Sequence, residues 1–177
     1  NSYCDLGETM NGPTIFSGKY NLTKKDFDSF NISFTELQDT TSKDSDTLSG
    51  TVAIDNTKSP VQVTMNLLDR DNHAGEVFKA ENFIITDAVA TDGSYDDVTM
   101  GGRFYDPTEG YVDLSTPQSL RVLAADDWPS SGNLKVTGQN NASATLTALD
   151  SSSYQVDIDT NGDGMTDSTT TGSWAEL

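Results

Sequence analysis

Cysteine, histidine and basic residues are scarce in this 177-residue chain. Cys4 is the single cysteine, His73 is the single histidine, and there are ten Lys and Arg but 28 Asp and Glu. A single cysteine excludes a disulfide within the chain. A single histidine gives little support for a catalytic Ser-His-Asp or Cys-His site. The formal net charge of −18 repels phosphate backbones and anionic lipid surfaces, so we expect no nucleic-acid partner.

Long apolar runs and a basic leader are also missing. No stretch approaches the roughly 20 apolar residues that cross a bilayer, so we expect no membrane span. The chain starts at Asn1 instead of Met, and we expect that a signal peptide or tether precedes it. Cys4 lies where a lipoprotein carries its lipidated cysteine, but residues 1–3 lack the small residues of a lipobox. A spare or partly buried thiol is the alternative.

The apolar residues that are present alternate with polar ones in short runs bounded by Gly, Ser, Asn or Asp. This pattern predicts antiparallel β-strands at 52–54, 61–65, 134–136, 144–149 and 154–158, with further strands around 15–22, 77–89, 98–105 and 111–123. The length fits one domain over 1–177, with an irregular segment at 1–13. We therefore predict an all-β, hairpin-rich antiparallel sandwich or a closed or half-closed barrel, two architectures that the sequence does not separate.

Two local patterns bear on where the strands lie. Phe27, Phe30, Phe34 and Leu37 recur at helical spacing, whereas Phe30, Ile32 and Phe34 alternate as in a strand. We favour the strand because the intervening Asn, Ser and Thr are modest helix formers. A small residue followed by glycine precedes four of the alternating runs, and we interpret these pairs as strand starts. The glycines are Gly18, Gly50, Gly102 and Gly132.

The sharpest motif lies within residues 157–170. Carboxylate and amide side chains occupy alternate positions there, and glycines lie between them, which is how a short loop surrounds a calcium ion with oxygen atoms. Counting from Asp159, the ligands are the side chains of Asp159, Asn161 and Asp163, the carbonyl of Met165 and the side chain of Asp167. A register starting at Asp157 is the alternative. Thr170 stands at position twelve, where an EF-hand has a bidentate Glu.

The segment 159–164 resembles the calcium loops of dockerins, thrombospondin type 3 repeats and other secreted modules. The resemblance covers about a dozen residues and implies one bound calcium ion, which we expect to be structural and to let Trp174 and Leu177 dock. The alternative is an Asp- and Gly-rich turn that binds nothing. Four aspartates crowd this region and no Lys or Arg follows Lys135, which favours a cation. The similar segment 69–76 lacks the glycine at position six, and a solvated loop is the simpler interpretation.

The sequence supports a non-catalytic function more than an enzymatic one. We expect an extracytoplasmic, calcium-stabilised binding or adhesion module of bacterial type, secreted, periplasmic or on a cell surface, with carbohydrate or a surface protein as partner. Phe104, Tyr105, Tyr111 and Trp128 are candidates for stacking on sugars, with core packing as the alternative. A barrel-type carrier of a small apolar ligand and a carboxylate-dependent hydrolase are the other two hypotheses.

Overall fold

Strands account for most of the chain. The computed structural model describes residues 2–5, 8–41 and 45–176, and side chains from residue 9 onward. The strands are β1 (Ser2–Asp5), β2 (Glu8–Asn11), β3 (Thr14–Asn21), β4 (Asp26–Thr40), β5 (Ser45–Asp55), β6 (Val61–Asp71), β7 (Val77–Val89), β8 (Tyr95–Asp106), β9 (Gly110–Leu123), β10 (Pro129–Thr137), β11 (Ser143–Asp150), β12 (Ser153–Asp159) and β13 (Ser168–Ser173). Short 3₁₀ turns lie at Gln139–Asn141 and Trp174–Glu176. In the described part of the chain, no helix is long and apolar enough to cross a membrane.

All thirteen described strands belong to one antiparallel sheet. From β4 to β13 each strand pairs with the next strand in sequence, and the sheet is not closed into a barrel. β2 and β3 pair with different parts of β4 along the same edge, so they form one edge interrupted at Gly12 and Pro13. The predicted all-β class, the single domain and the strand over 27–37 are confirmed, because that segment lies within β4.

Two expectations were wrong. The segment 1–13 was expected to be irregular, but within its described residues Ser2–Asp5 pairs with Glu8–Asn11, and Glu8–Asn11 pairs with β4. The glycines do not start strands. Gly50 and Gly102 lie in the middle of β5 and β8, and Gly132 lies inside β10. Gly18 likewise lies inside β3. A small residue followed by glycine predicts a strand boundary, but at Gly50, Gly102 and Gly132 the glycine permits a positive φ within a paired strand.

The sheet has one apolar face and one polar face, because residues paired across strands point to the same side. On the apolar face, one row from β4 to β8 consists of Phe30, Ile54, Val63, Ile85 and Met100, and another from β9 to β12 consists of Leu114, Val136, Ala144 and Ile158. On the polar face, the corresponding rows are Ser29, Asp55, Gln62, Thr86 and Thr99, and Asp113, Thr137, Ser143 and Asp159.

Few side chains are fully removed from water. Among the described residues, the hydrophobic side chains that count as buried are Leu37, Leu120, Ala148 and Trp174. Trp174 docks as the sequence predicted: its ring lies 5.5 Å from that of Trp128 and 4.8 Å from that of Tyr154, and its Nε1–H donates to the Asp150 carbonyl. Leu177 and the side chain of Cys4 lie outside the described residues, so the expectations about them stay predictions.

A line of β-bulges crosses the middle of the long strands. At each bulge, an amide of one strand loses its ladder partner and donates to a side-chain oxygen of the neighbouring strand, which keeps the backbone hydrogen-bonded. The four pairs, donor first, are Glu36 with Ser49, Asn82 with Asn66, Met100 with Thr116 and Gln118 with Asn133, at N···O distances of 3.0, 2.8, 2.8 and 3.1 Å. Because bulges bend and twist the strands that contain them, this line sets the curvature of the sheet.

A substitution at Gly50 tests how much the line of bulges contributes to stability. Its φ is +137°, and a Cβ there would lie 2.0 Å from the Asn66 carbonyl oxygen, so Gly50→Ala combines backbone strain with overlap. We expect it to lower the free energy of unfolding by about 3 kcal/mol in chemical denaturation. Gly75→Ala is the control, because Gly75 has φ +75° and open space around it, and should cost about 1 kcal/mol. Equal losses in the two variants would contradict the role of the bulge.

Candidate functional site

The C-terminal loop joins the last two strands of the sheet. The predicted ligand Asp159 is the last residue of β12, and Asn161, Asp163, Met165 and Asp167 follow in the connection to β13. Asp157 lies inside β12, and Thr170 lies inside β13 opposite Val156. The loop proper therefore spans 160–167, which is narrower than the predicted 157–170.

Backbone amides within the loop bind its acidic and amide side chains. Asp159 accepts from the amides of Gly162 and Gly164 at 2.7 and 2.9 Å. Asn161 accepts from the Asp163 amide, and Asp163 accepts from the Met165 amide, both at 2.8 Å. These bonds turn the side chains of alternate residues onto the loop's own backbone. Gly162 and Gly164 have φ of +75° and +84°, which explains the glycines at these positions.

Asp167 and Asp157 are bound differently from the other acids. Asp167 accepts from the amide and the hydroxyl of Thr160, and these bonds lower the pKa of its carboxyl. Asp157 accepts from the Thr169 hydroxyl and the Gln155 amide, which lower its pKa as well. Both carboxylates are thus held ionised. Within residues 2–5, 8–41 and 45–176, no three His, Cys, Asp or Glu side chains are grouped closely enough to hold a metal ion by themselves. A cation here would also need the Asn161 and carbonyl oxygens.

The loop packs against the 3₁₀ turn between β10 and β11. A Cβ on Gly162 would lie 2.2 Å from the Asn140 carbonyl oxygen, so the two turns are in close contact. Beside them, Val136, Ala144 and Ile158 of the apolar face line a shallow groove of about 360 Å³. The C-terminal loop therefore borders the apolar face.

A second constellation lies on the polar face of β7, β8 and β9. We call it the tyrosine–arginine cluster, and it consists of Lys79, Glu81, Arg103, Tyr105, Tyr111 and Asp113. The Tyr105 and Tyr111 rings are adjacent, with centroids 6.0 Å apart and planes tilted by 51°, and the Arg103 guanidinium lies over the Tyr111 ring, 4.1 Å from its centroid. Arg103 also donates two hydrogen bonds to Asp113, from Nε at 2.6 Å and from Nη2 at 2.7 Å.

The carboxylates of this cluster are held in their ionised form. Lys79 donates to Glu81 at 2.9 Å and the Tyr105 hydroxyl donates to Glu81 at 3.1 Å, and these bonds lower the pKa of Glu81. Arg103 lowers the pKa of Asp113 in the same way. Glu81 and Asp113, together with Asn82, Gly102 and Leu114, line a surface depression of about 420 Å³ around Arg103. The cluster combines two ring faces with fixed hydrogen-bonding groups.

The sequence predicted only two members of this cluster. Tyr105 and Tyr111 were candidates for stacking, and the structure brings them together. Phe104 points to the opposite face and stacks on Phe78 at 6.4 Å, and Trp128 stacks on Trp174. Sequence reasoning missed Lys79, Glu81, Arg103 and Asp113. The signal was present in charged residues spaced two apart on neighbouring strands, which places them on one face.

Asp28 is the most buried charged residue, at 9% exposure, among those described, and sequence reasoning missed it as well. Asn21 Nδ2 donates to both of its oxygens, at 3.1 and 3.3 Å, and Lys24 lies 3.4 Å away. Asn21 also accepts from the amides of Thr23 and Lys24. The network fixes the turn between β3 and β4. It borders a polar groove of about 530 Å³ that includes Asn31, Gln62 and Thr64.

The weaker metal candidate at 69–76 covers the end of β6 and the turn that leads to β7. Asp71 accepts from the amides of His73 and Ala74, at 2.7 and 2.9 Å, as in many turns that bind no ion.

Comparison of the chain with models of known families, with curated proteins and with solved structures gives no match.

The Asp28 network predicts how stability depends on pH. The hydrogen bond from Asn21, then that from Lys24, and the positive charges of Lys24 and Lys19 lower the pKa of Asp28. The unfolded chain therefore binds this proton more tightly than the folded chain. We expect the free energy of unfolding contributed by Asp28 to be constant from pH 7 to pH 5 and to fall below about pH 4. Urea denaturation across this range measures it. Asp28→Asn should flatten the acid slope, and an unchanged slope would contradict the assignment.

Proposed function

We propose that this protein is a non-catalytic, extracytoplasmic binding module whose tyrosine–arginine cluster contacts carbohydrate. The observation that carries the proposal is the pair of adjacent tyrosine rings on the polar face, Tyr105 and Tyr111, flanked by Arg103 with its Asp113 partner. Tyrosine rings pack against the apolar C–H faces of sugars, while carboxylates and guanidinium groups bind sugar hydroxyls. The ion pairs hold these groups in position before a ligand arrives, which lowers the entropy cost of binding.

The geometry of the tyrosine–arginine cluster supports a hydrolase less well than a binding module. A glycosidase needs one carboxyl group whose pKa is raised, so that it can protonate the leaving oxygen at neutral pH. In this cluster, Lys79 and Tyr105 lower the pKa of Glu81, and Arg103 lowers that of Asp113. Both groups are poised as hydrogen-bond acceptors. Binding is therefore the better-supported role for this surface.

The apolar-carrier hypothesis has less support because the sheet is open. A carrier surrounds its ligand with apolar walls, and small-molecule sites bury most of the ligand's surface. The apolar groove at Val136, Ala144 and Ile158 holds about 360 Å³ and is shallow. An extended face of this kind suits a partner larger than a small ligand.

We also propose that the C-terminal loop binds one structural calcium ion through Asp159, Asn161, Asp163, Met165 and Asp167. Support comes from the alternate oxygen-bearing residues, the two positive-φ glycines between them and the lack of any Lys or Arg after Lys135. Weak extracellular calcium loops have dissociation constants of about 10⁻⁴ to 10⁻³ M, which only calcium-rich surroundings fill. This supports the extracytoplasmic assignment.

The carbohydrate proposal predicts that one variant loses affinity for a glycan. The purified protein should bind a set of glycans on a glycan array, and calorimetry then measures its affinity for them. Tyr111→Ala removes one ring of the pair and should weaken binding at least tenfold, or about 1.4 kcal/mol.

Tyr95→Ala is the matched control for this experiment. Arg121 lies over the Tyr95 ring at 3.8 Å and forms two hydrogen bonds with Asp97. This site repeats the tyrosine–arginine–aspartate arrangement, but it lies outside the tyrosine–arginine cluster. The affinity of the Tyr95→Ala variant for the glycan should therefore stay at the wild-type value. An array without positive glycans, or equal losses in the two variants, would count against the proposal.

The calcium proposal predicts a change in melting temperature. With a dissociation constant of about 1 mM, 10 mM calcium stabilises the folded chain by about 1.4 kcal/mol, which corresponds to about 3–6 °C for a chain of this size. Asp163→Ala should lose this increase. Asp106→Ala should keep it, because Asp106 closes an analogous turn between β8 and β9, accepting from the Thr108 and Glu109 amides. No shift in the wild-type protein would refute the calcium site.

A further inference from the structure

The apolar face is much larger than a monomeric protein ordinarily leaves partly exposed. Its rows run across the sheet from β4 to β12, so it spans most of the molecule. With strands about 4.8 Å apart and about 3.4 Å per residue, nine strands of about ten residues give a face of about 1,500 Å². The largest apolar patch on a typical monomer is about 300–600 Å².

The total accessible surface area of the chain also indicates an uncovered face. The chain exposes 11152 Å², whereas a compact monomer of 19.0 kDa exposes about 8,400 Å². The excess is about 2,700 Å². Large side chains of the apolar face contribute to it, since Phe104 is 38% exposed, Phe27 is 41% exposed and Phe16 is 63% exposed.

We propose that the apolar face is covered by the apolar face of a second copy of this chain. Obligate homodimers bury about 2,000–5,000 Å² in total, or about 1,000–2,500 Å² from each subunit, and the size of this face falls in that range. A two-fold dimer uses the same patch twice, so the apolar face needs to be complementary only to itself. Two sheets packed about 10 Å apart would give each protomer the second layer that a sheet with one apolar face requires.

The distribution of charge permits this packing despite the net charge of −18. The ion pairs of Arg103 with Asp113 and Arg121 with Asp97 are on the polar face, which stays in water. Acidic residues on the apolar face, such as Asp87 and Asp96, are near strand ends, where they would be at the rim of the interface. Two protomers still repel each other at long range. The dimer should therefore tighten as salt rises, because salt screens the repulsion and leaves apolar contact intact.

A back-to-back dimer would also place two tyrosine–arginine clusters on opposite outer surfaces. Because the two clusters face in opposite directions, one dimer would bridge two ligand-bearing surfaces and would not engage a single surface twice. The dimer itself does not depend on the carbohydrate proposal, because it uses the other face of the sheet.

Sedimentation equilibrium of the full chain tests the proposal, with Phe104→Glu and Ile84→Glu as matched variants. Phe104 and Ile84 are 38% and 37% exposed in the protomer and are on opposite faces of neighbouring strands. The wild-type protein should be a dimer at micromolar concentration. Phe104→Glu should raise the dissociation constant at least tenfold, and Ile84→Glu should leave it unchanged.

Three results would overturn the proposal. One is a wild-type protein that is monomeric at every concentration and salt level. Another is a monomer from which organic solvent extracts a stoichiometric apolar molecule, which would assign the face to a ligand. The third is equal dissociation in the two glutamate variants. The wild-type mass decides the question even if a variant fails to fold, and circular dichroism checks the folding of each variant.

Discussion

The ladder of main-chain hydrogen bonds between consecutive strands is the constraint on which this protein depends. From β4 to β13, each strand finds its partners in the strands directly before and after it in sequence. A meander of this kind needs only short connections, so each pairing costs little loop entropy. The ladder fixes register, and register in turn decides which side chains share a face. The division into an apolar and a polar face, and with it the tyrosine–arginine cluster, follows from these pairings.

The bulges show how the ladder survives where the sheet bends. At each bulge the strand gains an extra residue, and an amide that loses its strand partner donates to a Ser, Thr or Asn side chain of the neighbouring strand. Gly50, Gly102 and Gly132 permit close approach of the neighbouring backbone along the same line. Curvature is thus obtained while these four amides keep a hydrogen-bond partner.

Charge is distributed unevenly over the two faces and along the chain. On the polar face, arginines pair with aspartates across β8 and β9, and each guanidinium also covers a tyrosine ring. At the C-terminal end no basic residue is available, and backbone amides and hydroxyls bind the carboxylates instead. The first arrangement presents rings and hydrogen-bonding groups to a ligand. The second concentrates negative charge that a cation would offset, and it lies beside the apolar face.

The amino-acid sequence by itself determined the fold class, the main strands and the acidic loop, because alternation of apolar and polar residues and the spacing of Asp and Gly are local properties. It also favoured the strand in Phe27–Leu37 correctly. It misread Gly50, Gly102 and Gly132 as strand starts, since a glycine at a turn and a glycine at a bulge look alike until the neighbouring strand is known. The tertiary structure alone decided that Tyr105 and Tyr111 adjoin Arg103, Glu81 and Asp113, because cross-strand register brings together residues that are distant in sequence. It also decided that the sheet stays open, since closure depends on how curvature accumulates over all the strands.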